Sequence, residues 1–273
     1  MALLLTLLLA LALATFLATQ PLRQQRRRAR IMAQPFPQAW RRILRRRVPL
    51  VASLPADLQL RLKGLMQVFL AEKPIIGCQG LEVTDDMRVT VAALACLPLL
   101  GRSRGIYPEL RQVLMYPGAF VVDRPVNAAG GVQMEQRRAL SGESWVQGQV
   151  LLSWQDVLHG AALPDDGHNV VIHEFAHQLD QAKGFANGAP LLGSRAAYQS
   201  WSAVLQREYQ ALQQRLARGE PGLIDPYGAT DPAEFFAVVS ELFFERGAEL
   251  AALHPALYAE LRRYYALDPL NWQ

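Results

Sequence analysis

The stretch Asn169-Val170-Val171-Ile172-His173-Glu174-Phe175-Ala176-His177-Gln178-Leu179-Asp180 contains His-Glu-x-x-His, and its reading decides what the rest of the chain serves. Residues four apart share one face of a helix, so His173 and His177 can aim both imidazoles at one point. Zinc accepts such nitrogens at roughly 2.0–2.1 Å in near-tetrahedral geometry. Glu174, beside the first histidine, is placed to take a proton from a metal-activated water. The pattern has only three fixed positions and arises by chance on many solvated helices. Here Val170, Val171, Ile172, Phe175, Ala176 and Leu179 fill the gaps. The expected helix is buried nearly all round, and burying three polar side chains in it without a partner is costly.

Outward from this stretch, the 273 residues suffice for one large domain or two small ones, and 51% hydrophobic content supports a sizeable core. The net charge of +4 is uneven. Residues 23–47 hold ten arginines and no acid; with those set aside, 18 basic residues face 24 acidic ones, a balance of −6. The basic character therefore belongs to the N-terminal segment and not to the folded body. Cys78 and Cys96 are too few for a disulfide framework and lack zinc-type spacing, so they read as reduced core residues.

Ala2 to Thr19 is an uncharged Leu- and Ala-rich run. As a helix it spans about 27 Å, close to the roughly 30 Å of a hydrocarbon core. No basic residue precedes it, and the arginines follow directly. The positive-inside rule then keeps the body in the cytoplasm. The expectation is a single-pass anchor over 1–19 in the inner membrane, a basic juxtamembrane linker over 20–47, and a catalytic domain over 48–273 on the cytoplasmic side. The alternative is export after signal cleavage, with Ala12-Leu13-Ala14 and Ala18 as small residues for a cleavage site. The arginines suit anionic headgroups. With only Phe36 and Trp40 interleaved among them, direct nucleic-acid binding is not expected.

Helical spacing predicts helices over Ala56–Lys73, from a Thr84 cap through Cys96 to Pro98, over Arg195–Arg218, over Asp231–Arg246 and over Pro255–Tyr265. Short strands are expected at Val113–Tyr116 and Phe120–Val122 around Pro117-Gly118, and at Gln147–Trp154, with Ser153 capping a following helix and Val150–Trp154 as a candidate sheet edge that could align an extended peptide. Asn127–Gly131, Lys183–Ser194 and Gly219–Thr230 read as loops.

A catalytic zinc needs a third protein ligand. The other histidines are His159, His168 and His254; no metzincin spacing follows His177, and a carboxylate on a later helix is the standard alternative. Glu234, Glu241 and Glu245 all qualify, and Glu234 has a competing use: Asp at the N-cap, Pro at N1 and Glu at N3 resemble a capping box.

The stretch 173–180, the loop Ile224-Asp225-Pro226-Tyr227-Gly228-Ala229 and the helix start Asp231-Pro232-Ala233-Glu234-Phe235-Phe236-Ala237-Val238 together resemble the Mlc titration factor A (MtfA) family of zinc peptidases. Tyr116–Val122 and Gln149–Trp154 are similar to that family as well, and the likeness covers about residues 48–270. The resemblance implies an α+β, mainly helical, zincin-like metallopeptidase domain with a small mixed sheet and a core like that of anthrax lethal factor. It implies one Zn2+ held by His173, His177 and Glu234, with Glu174 as general base and Tyr227 stabilising the oxyanion. Asp180 and Asp225 match nearby supporting positions. It further implies peptide hydrolysis, of aminopeptidase type on short or N-terminal substrates. The alternative is a membrane-anchored binding protein that sequesters a Mlc-like transcriptional repressor, with hydrolysis incidental. The apolar run and the arginine cluster depart from the family's soluble pattern.

Overall fold

The computed structural model describes residues 1–102, 105–128, 132–140, 142–145 and 148–272, with the backbone alone over 120–145. Helices dominate. In chain order the N-terminal part runs α1 (Ala2–Met32), α2 (Gln38–Arg47), α3 (Leu50–Ser53), α4 (Ala56–Glu72), β1 (Ile75–Gly77) and α5 (Asp85–Cys96). Strands β2 (Gln112–Tyr116), β3 (Phe120–Ala128), β4 (Val132–Leu140), β5 (Gly142–Trp145) and β6 (Gln149–Ser153) follow. The rest is α6 (Trp154–Ala162), α7 (Val170–Asp180), α8 (Arg195–Ala217), α9 (Pro232–Glu245), α10 (Gly247–Leu253) and α11 (Pro255–Tyr265).

The expected caps are present. Thr84 Oγ1 accepts from the Met87 amide, and Ser153 Oγ from that of Asp156. Each satisfies an amide that the first helical turn leaves without a partner.

The main sheet is mixed, in the order β1-β2-β6-β5. The β1–β2 and β2–β6 pairs are parallel, and β5 closes one side antiparallel to β6. Strand β6 is therefore interior, and the edge next to it is β5. Two other departures concern the same region. Strands β2 and β3 flank Pro117-Gly118 but do not pair; β3 pairs with β4 in a separate antiparallel ribbon. Asn127 and Ala128 belong to that ribbon, while 129–131 lie outside the described residues.

Helix α7 packs through Val171, Ile172, Phe175 and Ala176, all fully buried. The Phe175 ring sits between Tyr107 (4.8 Å between centroids) and Phe69 (5.7 Å). Helix α9 sets Phe236 against Trp201 and packs Phe243 and Phe244 on Tyr265. Each such side chain stabilises the fold by about 1.5–3 kcal/mol on burial, so α7 and α9 are rigid supports.

The stretch 20–47, expected as a linker, is folded. Helix α1 continues past Pro21 to Met32, and its second half docks on α4. Arg28 holds Glu72 through two hydrogen bonds of 2.9 and 2.7 Å, Gln67 donates to the Gln34 carbonyl at 3.1 Å, and Met32 lies over Gly64. Phe36, Ile43, Leu44 and Val48 are buried in the core, with Trp40 packed against it. These apolar positions fall at helical spacing, a pattern that the surrounding arginines obscure. Arg46 and Arg47 both reach Asp86, at 2.6 and 2.9 Å.

Among the described residues, nothing packs around the first half of α1. Leu3, Leu4, Leu5, Leu9, Leu11, Leu13, Phe16 and Leu17 are each more than half exposed. Helix α1 is long and apolar enough to cross a membrane, with a mean hydropathy of 2.1 over its most apolar window and none of that window buried.

Candidate active site

Asn169 opens α7: its side-chain oxygen accepts from the Ile172 amide at 3.2 Å. One turn on, His173 and His177 stand edge to face, 4.9 Å between ring centroids. Glu174 lies beside them, 4% exposed. The start of α9 faces this pair. Asp231 Oδ1 accepts from the amides of Ala233 and Glu234, at 2.8 and 2.9 Å. Asp231 thus caps the helix, while the Glu234 carboxylate turns toward the two histidines. Its Oε2 lies 2.9 Å from His173 Nε2 and 3.3 Å from His177 Nε2. The three ligand atoms lie within 4.8 Å of one another. A tetrahedral ion with bonds of about 2.1 Å separates its ligand atoms by roughly 3.4 Å. Two imidazoles and one carboxylate also form a donor set that suits such an ion, so the residues present fit a catalytic metal.

The electrostatics of the trio are coupled. Burial alone would lower the His173 pKa, but Glu241, Glu234 and Glu174 outweigh it and hold the group well above the ordinary histidine range. Burial pushes Glu234 up, and the hydrogen bonds and charges of His173 and His177 reverse that, leaving it far below an ordinary carboxyl.

The other two carboxylates on the same face of α9 also reach α7. Glu241 Oε1 is 2.8 Å from His173 Nδ1, and its Oε2 accepts from the Asn169 amide at 2.5 Å. Glu245 accepts from the Asn169 side chain at 2.9 Å and from the Gly167 amide at 3.2 Å. Burial pushes Glu245 up to about 8, against the pull of those bonds. Thus Glu234, Glu241 and Glu245, three rivals in the sequence, hold three successive points along α7. Their i, i+7, i+11 spacing was the available signal for a shared face. What it lacked was the partner of each. Asn169 was missed as the hub of this contact.

Tyr227 sits in a short 3₁₀ turn, Pro226–Ala229, ahead of α9. Asp225 Oδ1 accepts from the Tyr227 amide at 2.7 Å. The Tyr227 ring is 45% exposed, with its centroid 6.0 Å from that of His173, so it stands on the open side of the site. Asp225 Oδ2 is 3.9 Å from His168 Nε2. Asp180, at the end of α7, instead holds the following loop. Its Oδ2 accepts from the amides of Asn187 (2.7 Å) and Gly188 (2.6 Å), and burial pushes its pKa up. Gly188 has φ +76°, and a Cβ there would lie 2.3 Å from the Pro232 carbonyl oxygen. Only glycine fits between this loop and the first turn of α9.

The sequence profile of the glucose-regulated metallo-peptidase M90 family matches residues 22–266. The chain belongs to that family. Among similar proteins, an uncharacterized protein of Synechocystis sp. is 44% identical over 237 residues, covering 86% of each chain. Mlc titration factor A of Pectobacterium atrosepticum is 36% identical over 233 residues, 83% of this chain and 87% of that one. The Klebsiella pneumoniae (strain 342) protein of the same name is 37% identical over 235 residues, 85% and 87%. M90 membership makes this a chain of metallopeptidase type, which implies a metal ion and a peptide substrate. It also brings the arginine-rich second half of α1 inside the family's match.

Proposed function

We propose that the chain is a zinc peptidase, with His173, His177 and Glu234 holding the metal. The observation that carries this reading is the convergence of two imidazole nitrogens and a carboxylate oxygen within 4.8 Å beside a buried Glu174. Bound there, zinc would polarise the scissile carbonyl and lower the pKa of a water to about 7. Glu174 accepts the proton of the attacking water and passes it to the leaving amine. Tyr227, on the open side, donates its hydroxyl to the oxygen that becomes negative in the tetrahedral intermediate. An extended substrate aligns along β5, whose outer side pairs with no described strand, by adding one more strand to the sheet. An aminopeptidase-like preference is part of the proposal.

We further propose that residues 1–19 anchor the chain in the inner membrane, with the catalytic body over 48–273 on the cytoplasmic side, the basic segment between them setting the orientation. The name shared by several relatives supports a second role, binding of a Mlc-like transcriptional regulator.

The test is metal analysis of the purified full-length protein together with peptide-library digestion. The expected outcome is about one zinc per chain and hydrolysis that disappears on chelation and returns with zinc. Release of single N-terminal residues would support the aminopeptidase reading, and internal cuts would remove it. Metal-free protein that cleaves at the parent rate would overturn the zinc mechanism.

A further inference from the structure

Glu241 and Glu234 touch the same histidine from opposite sides. Glu234 faces Nε2 at 2.9 Å and Glu241 faces Nδ1 at 2.8 Å. An ionised carboxylate is an acceptor only, so the ring nitrogen that meets Glu241 must carry a proton. By the same rule Nε2 carries a proton toward Glu234 while no ion is bound; an ion held by His173, His177 and Glu234 would displace that proton and leave the one on Nδ1 with Glu241. Glu241 also accepts the Asn169 amide at the start of the same helix, so its two oxygens tie the ring and the helix backbone together. The side chain is 8% exposed on a helix packed among buried phenylalanines, and has little freedom to leave. His177 has no comparable support: its Nδ1 is buried without a hydrogen-bond partner among the described residues.

We propose that Glu241 is the positioning residue of the metal centre, fixing the tautomer and the ring orientation of His173. This rests on His173 being a ligand. It also assigns the two histidines unequal parts: His173 is preset by the protein, whereas His177 is oriented by helix packing and by the ion it meets. Carboxylates that orient a metal-bound imidazole raise its basicity and restrict its rotation, and their loss costs on the order of 10–100-fold in metal affinity.

The experiment measures zinc affinity of the full-length protein by competition with a chromophoric chelator, for Glu241→Ala, Glu241→Gln, Glu245→Gln and His173→Ala. Ring-nitrogen NMR on His173 accompanies it. Glu241→Ala should bind zinc about 10–100-fold more weakly, and Glu241→Gln, which keeps an acceptor oxygen, should fall between it and the parent. In the zinc-loaded protein the parent should show a single protonated Nδ1 on His173; Glu241→Ala should lose that signature, and Glu241→Gln should weaken it. Glu245→Gln keeps the parent affinity, although it too joins α9 to α7. An equal loss in Glu245→Gln would assign the effect to helix packing and overturn the proposal. Parent-like affinity in both Glu241 variants, with zinc lost in His173→Ala, would overturn it as well. Parent-like affinity in His173→Ala would instead overturn the ligand set beneath it. If Glu241→Ala fails to fold, the Gln variant and its NMR signature decide.

Discussion

Helix α7 and the first half of α1 are both apolar helices, yet they handle their polar groups in opposite ways. In α7 the apolar residues are enclosed by protein, and the polar ones reach across to another helix: His173 to Glu234 and Glu241, Asn169 to Glu241 and Glu245. In α1 the apolar residues are exposed, and the polar ones turn inward on their own helix. Thr15 Oγ1 donates to the Leu11 carbonyl at 2.8 Å, and Thr19 Oγ1 to the Thr15 carbonyl at 2.8 Å. A helix that satisfies its own hydroxyls suits a medium with no donors or acceptors to offer. A helix whose polar side chains are satisfied only by a neighbour is part of a built site. Composition makes the two look alike, and the destination of their polar groups separates them.

The contrast is most easily broken at α1. Leu9→Arg with Leu13→Arg should cost roughly 5–7 kcal/mol of membrane insertion, at about 2.5–3.5 kcal/mol per arginine near the bilayer centre. The protein should move from the membrane fraction to the soluble one with unchanged zinc content, and peptide turnover per chain should persist. If the variant stays with membranes, α1 is not the anchor.

The opposite case is Glu174→Gln, which should remove at least about 10²–10⁴-fold of hydrolysis, the span expected for general acid–base catalysis. Zinc content and membrane fractionation should stay at parent levels. Parent-like cleavage rates would remove Glu174 from the mechanism.

The smallest effect sharpens the α7–α9 contact. With its carboxyl raised to about 8 in the folded state against an ordinary 4.5, Glu245 keeps a proton that the unfolded chain has released between those pH values. Its contribution is therefore fully present below about 4.5 and is lost as pH rises toward 8. Glu245→Gln should remove this tilt, at most about 1.4 kcal/mol per pH unit. Unfolding of metal-free parent and variant at pH 5 and pH 8 checks it: the variant should gain on the parent as pH rises. A constant difference would mean that Glu245 does not titrate in this window.

Much of the site was legible in the sequence because its signals are local. The His173–His177 spacing, the caps at Thr84, Ser153 and Asp231, and the helices they open need only a few consecutive residues to declare themselves. What escaped depends on pairing at long range. Strand β1 is three residues long, too short to show alternation. Strand β4 carries Gln133, Glu135, Gln136, Arg137 and Arg138, so no apolar period announces it. The short Gly142–Trp145 segment gives no hint that it displaces β6 from the sheet edge. In α2 the core positions Ile43 and Leu44 are hidden among arginines that suggest a solvated linker. Glu241 was visible as a residue in phase with Glu234, but nothing in one sequence says that it meets the far side of His173's ring.

The docking of α1 on α4 has a geometrical consequence. Arg28 and Met32 clamp the second half of α1 to α4, and one continuous helix through Pro21 joins it to the apolar half. From Gln20 to Met32 the helix rises about 20 Å, at about 1.5 Å per residue. Each residue added to or removed from that interval would turn the catalytic body by about 100° around the helix axis. That turn has no reference in the plane of a bilayer, because a single anchor is free to spin about its own axis, so helical phase leaves the bearing of the cleft unset. With α1 as the proposed anchor, the number of residues between the apolar run and Arg28 sets how far the catalytic body stands from the bilayer, at about 1.5 Å per residue.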